Sequence, residues 1–123
     1  MKSVSTAAAP KPVAAYSQAI EAGGFVFAAG QVGIDPATGE LASGLSGQAE
    51  RAFQNVRAIL AAAEASAENI VKITIYLTDL KEFAAVNKIY EDFVGLNRPA
   101  RTTVGVAALP NGALIEIDAI AVA

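Results

Sequence analysis

The 123-residue sequence contains neither cysteine nor histidine. Without cysteine, the chain has no thiol nucleophile, no disulfide and no zinc–thiolate site. Without histidine, it lacks the side chain that most often serves as a general base or a metal ligand near neutral pH. Any chemistry that the chain performs therefore uses carboxylates, arginine, lysine, tyrosine, hydroxyl groups, amides and backbone groups.

Charged residues are also scarce, at 17% of the chain, and the formal net charge is −3. Lysine and arginine form no cluster, so the chain lacks the electrostatic footprint of a nucleic-acid-binding protein. No apolar run approaches the length of about 20 residues that a membrane-spanning helix needs, and residues 1–13 contain no apolar core of a secretory signal. We therefore expect a cytoplasmic protein that binds neither nucleic acid nor membrane.

Hydrophobic residues are abundant instead and make up 54% of the chain. A chain of this length is expected to form one domain, here residues 1–123, with a hydrophobic core that needs no disulfide. The apolar fraction is high for a small monomer, which suggests that copies of the chain cover part of one another's surface.

Two segments have the apolar spacing of amphipathic helices. The first covers residues 46–65, with Ser46 as its predicted N-cap. The second is predicted to follow Asp79, whose side chain would cap it together with Glu82 in a variant of the capping box. Gly95 is predicted to end this second helix, because glycine favours the left-handed conformation at that position.

The other regular segments are typical of β-strands. Two short strands are predicted around a turn at Gly23 and Gly24. The segment NIVKITIYLTD alternates apolar and polar residues, and further strands are predicted at 101–108 and 114–122. Strands that alternate with helices predict βαβ crossovers and a mixed sheet, with the two helices on one face.

The sheet face without helices would carry Lys72, Thr74 and Tyr76 from the central strand. Such a face is either wetted or in contact with other subunits, and the apolar composition favours the contact.

Arg101 is an unusual residue for the start of an apolar strand. Thr103 shares its face, whereas Val104 and Val106 take the other. Because the two valines are expected in the core, Arg101 is predicted to point to the helix-free face. It is either a solvated strand-end charge or a planar fork for the carboxylate of a small molecule.

Glu116 and Asp118 project from the polar side of the last strand. Acids there serve either as edge gatekeepers or, in the case of Glu116, as a group that polarises water and transfers protons. If Asn111 and Gly112 closed a hairpin, Arg101 would lie about 20 Å from Glu116 at ~3.3 Å per residue. Either the last two strands are therefore not neighbours, or another subunit completes the site.

Asn87 lies on or beside the apolar stripe of the second helix, four residues after Phe83 and three before Tyr90. Its amide needs a partner there. A structural bond to a neighbouring loop is the favoured interpretation, and the alternative is that Asn87 holds a loop that lines a site.

Several motifs together resemble one family. PARTTVGVAALP followed by LIEIDAIAV resembles the signature of the RidA (YjgF/UK) family of reactive-intermediate deaminases. AAGQVGIDPATGE, IVKITIYLTDL and FAAVNKIYEDF resemble its other segments in the same order, so the likeness covers residues 16–122. It implies a chorismate mutase-like α+β fold in which the central strand separates the last two. It also implies a homotrimer with an inner β-barrel and sites between subunits.

The resemblance further implies hydrolytic deamination of 2-enamino and 2-imino acids, such as 2-aminoacrylate, to 2-keto acids and ammonia without cofactor or metal. Arg101 would bind the substrate carboxylate, and Glu116 would position water and manage protons. Other substrate-binding positions of the family are matched by Tyr16, Gly30, Asn87 and Thr103.

Several positions, among them the four that follow, differ from the common family pattern. Ala29 replaces a hydroxyl residue, Thr103 a frequent cysteine and Gly105 a frequent acid, while Arg98 stands where an aromatic residue is common. These differences bear on substrate choice, and Arg98 would strengthen a preference for anions if it lay beside the site. The alternative function is a trimeric module that binds small carboxylates with little turnover. Ribonuclease activity, an older label of the family, is disfavoured by the acidic charge and the absent histidine.

Overall fold

Apolar side chains of the helices and strands meet on one side of a single six-stranded sheet. The computed structural model describes residues 1–123. The strands are β1 Lys2–Val4, β2 Ala19–Ala22, β3 Phe25–Val32, β4 Ile70–Leu77, β5 Ala100–Gly105 and β6 Ile115–Val122. The α-helices are α1 Gly44–Ala62 and α2 Phe83–Val94, and short 3-10 turns cover Ala67–Asn69, Leu80–Glu82 and Pro110–Gly112.

The strand order is β1-β2-β3-β6-β4-β5, so β4 lies between the last two strands as the family resemblance implied. β4 and β5 are parallel and are joined through α2, while all other pairs are antiparallel. Asn111 and Gly112 therefore do not close a hairpin between the last two strands, and that interpretation of the Asn-Gly pair is wrong. Asn111 has a φ of 59° within a 3-10 turn, and the chain continues from there into β6 on the far side of β4.

The hydrophobic core lies between the sheet and the two helices. Its largest fully buried side chains include Ile59 and Leu60 of α1, Ile73 and Ile75 of β4, and Ile117 of β6. The predicted alternation of β4 has one exception, because the ladder shifts between Ile70 and Lys72. As a result Ile70 is buried, whereas Val71 is 41% exposed.

The helix termini differ from the sequence prediction at three of four points. α1 begins at Gly44, two residues before Ser46, and its N-cap Ser43 makes no side-chain capping bond. Asp79 caps the 3-10 turn by accepting a hydrogen bond from the Lys81 amide, so α2 begins only after Glu82. α1 ends three residues before residue 65. Gly95 does end α2, with a φ of 62°.

The helix-free face of the sheet is a mixture of polar and apolar side chains. Lys72, Thr74 and Tyr76 are half-buried on it. Phe25 and Phe27 of β3 are 40% and 44% exposed, and their ring centroids lie 6.2 Å apart. Neither α-helix has the combination of length and apolarity that crossing a membrane requires.

Candidate active site

Arg101 lies on the helix side of the sheet. It pairs in parallel register with Ile73, whose side chain is fully buried beneath the helices. The predicted orientation toward the helix-free face is therefore wrong. The error came from Val104, which pairs with Tyr76 and faces away from the helices. β5 is an edge strand with half-buried residues on both faces, so its pattern does not define an inner side.

The Arg101 guanidinium is fixed by three groups of α2. Its Nη1 donates a hydrogen bond to Oδ1 of Asn87 at 2.9 Å. Its Cζ lies 4.9 Å from the ring centroid of Phe83 and 4.6 Å from that of Tyr90. Both distances are within the range of cation–π attraction. The favoured interpretation of Asn87 as a loop anchor is thus wrong, because its amide binds the arginine.

No carboxylate neutralises Arg101, since the one ion pair of the chain joins Lys88 and Asp92. Asn87 is also its one hydrogen-bond partner. A guanidinium has five N–H donors in a planar fork, so most of them remain free to bind an anion. The arrangement suits a planar carboxylate, which accepts two parallel hydrogen bonds from such a fork.

Thr103 follows on the same face of β5, where it pairs with the buried Ile75. Its Oγ1 is the one buried side-chain polar atom without a hydrogen-bond partner in the chain. A buried hydroxyl without a partner costs about 1–3 kcal/mol. This unsatisfied hydroxyl, two residues from Arg101, is therefore a candidate contact for a ligand or for another subunit.

Glu116 lies on the opposite face of the sheet. It stands between Val32 of β3 and Tyr76 of β4, and its carboxylate has no hydrogen-bond or ion-pair partner. Burial raises the pKa of Glu116, and the nearby negative charge of Asp118 raises it further. A carboxyl group with a raised pKa is suited to giving and taking protons near neutral pH.

Gly30 provides the space that the Glu116 side chain occupies. A Cβ added at Gly30 would lie 2.6 Å from Oε2 of Glu116 and 2.8 Å from its Cδ. Any side chain at this position would therefore displace the carboxylate.

Tyr16 is 50% exposed in the loop between β1 and β2. This loop is anchored by Gln18, a buried residue that the sequence analysis missed. Its Nε2 donates to the carbonyls of Thr6, Ala9 and Pro10, and its Oε1 accepts from the Thr6 amide. The sequence feature that could have indicated this anchor is the position of Gln18, a polar residue immediately before the apolar strand β2.

Arg98 binds backbone carbonyls and no candidate site residue. Its Nη1 donates to the carbonyls of Gly95 and Asn97 at 2.6 and 2.7 Å, which caps the C-terminal end of α2. At Gly105 an added Cβ would meet Cβ of Leu80 at 3.5 Å, an ordinary contact.

The candidate residues thus form two groups on opposite faces of the sheet. One contains Arg101, Asn87 and Thr103, and the other contains Glu116 and Gly30. No group of three or more acidic side chains converges to hold a metal ion. A small substrate therefore cannot contact both groups of the same chain.

Comparison with known proteins shows close relatives along nearly the whole chain. The profile of the family described as Endoribonuclease L-PSP matches residues 6–123. A RutC family protein of Pyrococcus abyssi is 49% identical over 117 residues, which cover 94% of this chain and 92% of that protein. A 2-iminobutanoate/2-iminopropanoate deaminase of Rattus norvegicus is 43% identical over 98% of this chain and 89% of its own. The crystal structure of RidA from Psychrobacter sp. PAMC 21119 superposes with a TM-score of 0.97 at 41% identity, with both chains fully covered.

Proposed function

The chain belongs to the Endoribonuclease L-PSP (RidA/YjgF) family, and on this premise we propose that it is a deaminase of 2-enamino and 2-imino acids. Its substrates would be short-lived acids such as 2-aminoacrylate, and its products a 2-keto acid and ammonia. The observation that carries the proposal is the Arg101 guanidinium, which is fixed by α2 but has no carboxylate partner.

The proposal includes a homotrimer with an inner β-barrel built from the helix-free faces of a chorismate mutase-like fold. Two observations support it. The Arg101 and Glu116 groups lie on opposite faces of one sheet, so one substrate can reach both only if they come from different copies. The helix-free face also exposes Phe25 and Phe27, which a second copy would cover.

Substrate binding in this site would begin with the carboxylate. Arg101 would hold it through the N–H groups that Asn87 leaves free. The rings of Phe83 and Tyr90 stiffen the guanidinium and reduce the exposure of the site to water, which strengthens the charge–charge contact. Tyr16 and Thr103 would contact the remainder of the substrate, and Gly30 would give the Glu116 carboxylate the space that it occupies and supply a backbone contact.

The reaction needs one group that handles protons and one water molecule. Protonated Glu116 would give its proton to the β-carbon of the enamine, which converts the enamine into an iminium ion. The resulting carboxylate would then take a proton from water as the water oxygen bonds to the iminium carbon. The hydroxyl proton of this adduct then passes to the amino group, the carbon–nitrogen bond breaks, and ammonia leaves as the oxygen becomes the carbonyl of the keto acid.

The test is to generate 2-aminoacrylate or other imino acids in situ with a pyridoxal-phosphate lyase or an amino-acid oxidase and to follow their decay. The native protein should accelerate the decay, and Arg101→Ala should lose most of that acceleration. Arg57→Ala is the matched control, because Arg57 also stacks on an aromatic ring, Phe93, at 5.1 Å. Equal rates for native and Arg101→Ala proteins would refute the carboxylate contact. No acceleration by the native protein would favour the module that binds carboxylates without turnover.

A further inference from the structure

Strand β6 carries two acids on the helix-free face. Glu116 and Asp118 are separated by one residue, so both side chains leave the same side of the strand about 6.6 Å apart at ~3.3 Å per residue. Both are half-buried. Two carboxylates this close disfavour double ionisation, and their surroundings decide which of them keeps the proton.

Tyr76 distinguishes the two acids. It stands opposite Glu116 in the β4–β6 ladder, yet its hydroxyl donates diagonally to Oδ2 of Asp118 at 2.9 Å. A phenol has a single proton to donate. Because that proton is donated to Asp118, Glu116 is left without a hydrogen-bond donor in the chain.

The other strands contribute little charge to this face. Lys72 of β4 is the one further ionisable side chain on it, and its Nζ donates to Oγ1 of Thr102 on β5, away from β6. On the β3 side, Glu116 is flanked by Val32 and by the Gly30 backbone. The electrostatic surroundings of Glu116 within the chain are therefore dominated by Asp118.

We propose that Asp118, held by Tyr76, is a positioning residue that makes Glu116 the proton-carrying group of the site. This inference rests on the proposed deaminase function. It agrees with the direction in which burial and the Asp118 charge move the pKa of Glu116, and with the raised pKa of Tyr76, whose main cause is the hydrogen bond to Asp118. A phenol with a raised pKa remains protonated and keeps donating.

These roles of Glu116 and Asp118 match the chemistry of an enamine, which must gain a proton at carbon before water can add. Glu116 begins as the acid, gives its proton to the β-carbon and becomes a carboxylate. It returns to the acid when it takes a proton from the attacking water. Asp118 keeps its hydrogen bond from Tyr76 and neither gives nor takes a proton.

The direct test combines Asp118→Asn and Tyr76→Phe with pH–rate profiles. If protonated Glu116 starts the reaction, activity falls as the pH rises through its pKa. Asp118→Asn removes the neighbouring charge, so this decline should move to lower pH and activity at neutral pH should fall. Tyr76→Phe leaves the Asp118 charge in place, so the decline should stay where it is or move to higher pH.

A second readout does not depend on turnover. The side-chain carboxyl of Glu116 can be followed by carbon-13 NMR and assigned through its loss in Glu116→Gln. Its titration midpoint should move down in Asp118→Asn and stay in place in Asp118→Glu, which keeps the charge. Glu50→Gln, which removes one negative charge from an exposed position of α1, should leave the midpoint unchanged.

The two proposals fail in different ways. Absence of turnover by the native protein refutes the deaminase function. If the native protein turns over substrate but Asp118→Asn moves neither the titration midpoint of Glu116 nor the pH–rate profile, only the role of Asp118 is overturned.

Discussion

Gly30→Ala tests the position of the Glu116 carboxylate with the smallest change available. The new Cβ would stand 2.6 Å from Oε2 of Glu116, whereas ordinary contacts begin at 3.4 Å. The carboxylate must therefore retreat by about 0.8 Å, and a misplacement near 1 Å at a reacting group costs up to about 100-fold in rate. The neighbour that must move is the end of a flexible side chain, so the free energy of unfolding should change by less than about 1 kcal/mol.

Gly105→Ala is the matched control for this prediction. It makes the same change in another strand, where the new Cβ would meet Leu80 at an ordinary 3.5 Å. Initial rates with imino acids generated in situ, together with urea unfolding, should show a large loss of kcat in Gly30→Ala only. Native kcat in Gly30→Ala would refute the view that Glu116 handles the proton from the position seen beside this glycine.

Three further variants test other parts of the site. Asn87→Ala removes the partner of Arg101, so KM should rise several-fold with a smaller effect on kcat, and unchanged kinetics would contradict the role of Asn87 in holding the guanidinium. Gln18→Leu removes four hydrogen bonds to the loop before Tyr16. The free energy of unfolding measured in urea titrations should fall by about 2–3 kcal/mol, and a native-like value would contradict the anchoring of the loop by Gln18. Glu116→Gln should be more stable than the native protein at neutral pH. The raised pKa of Glu116 means that the folded state binds this proton more tightly than the unfolded state does. The free energy of unfolding of the native protein therefore declines as the pH rises from the unfolded-state pKa of Glu116 through its folded-state pKa. The difference in the free energy of unfolding between Glu116→Gln and the native protein should shrink when the pH falls below the unfolded-state pKa. A difference that stays constant with pH would contradict the raised pKa.

The sequence was sufficient for features that depend on local periodicity. The alternation in β4 and the apolar stripes of both helices defined the core, because each places several large side chains on one face. Gly95 ended α2 as predicted, since its positive φ is a local backbone requirement. Arg101 was assigned to the wrong face, because β5 is too exposed on both sides for Val104 to define an interior.

Features that depend on tertiary contacts were beyond the sequence. The bond between Tyr76 and Asp118 joins residues 42 positions apart. The family resemblance implied that β4 and β6 are neighbours, but no local pattern of the sequence indicates the bond itself. The attachment of Asn87 to Arg101 depends on α2 crossing over β5. Gln18 was missed because its partners are backbone groups of an irregular loop.

The central claim is that Arg101 and Glu116 act on one substrate from two different copies of the chain. Subunit complementation tests it most directly: Arg101→Ala and Glu116→Gln, each inactive alone, are unfolded together, refolded and assayed. In a closed ring with random assembly, about a quarter of the interfaces would join an intact arginine to an intact glutamate from the neighbouring copy. The account predicts recovery of about that fraction of native activity. A mixture that assembles but remains inactive would contradict it, because both residues would then have to come from the same copy.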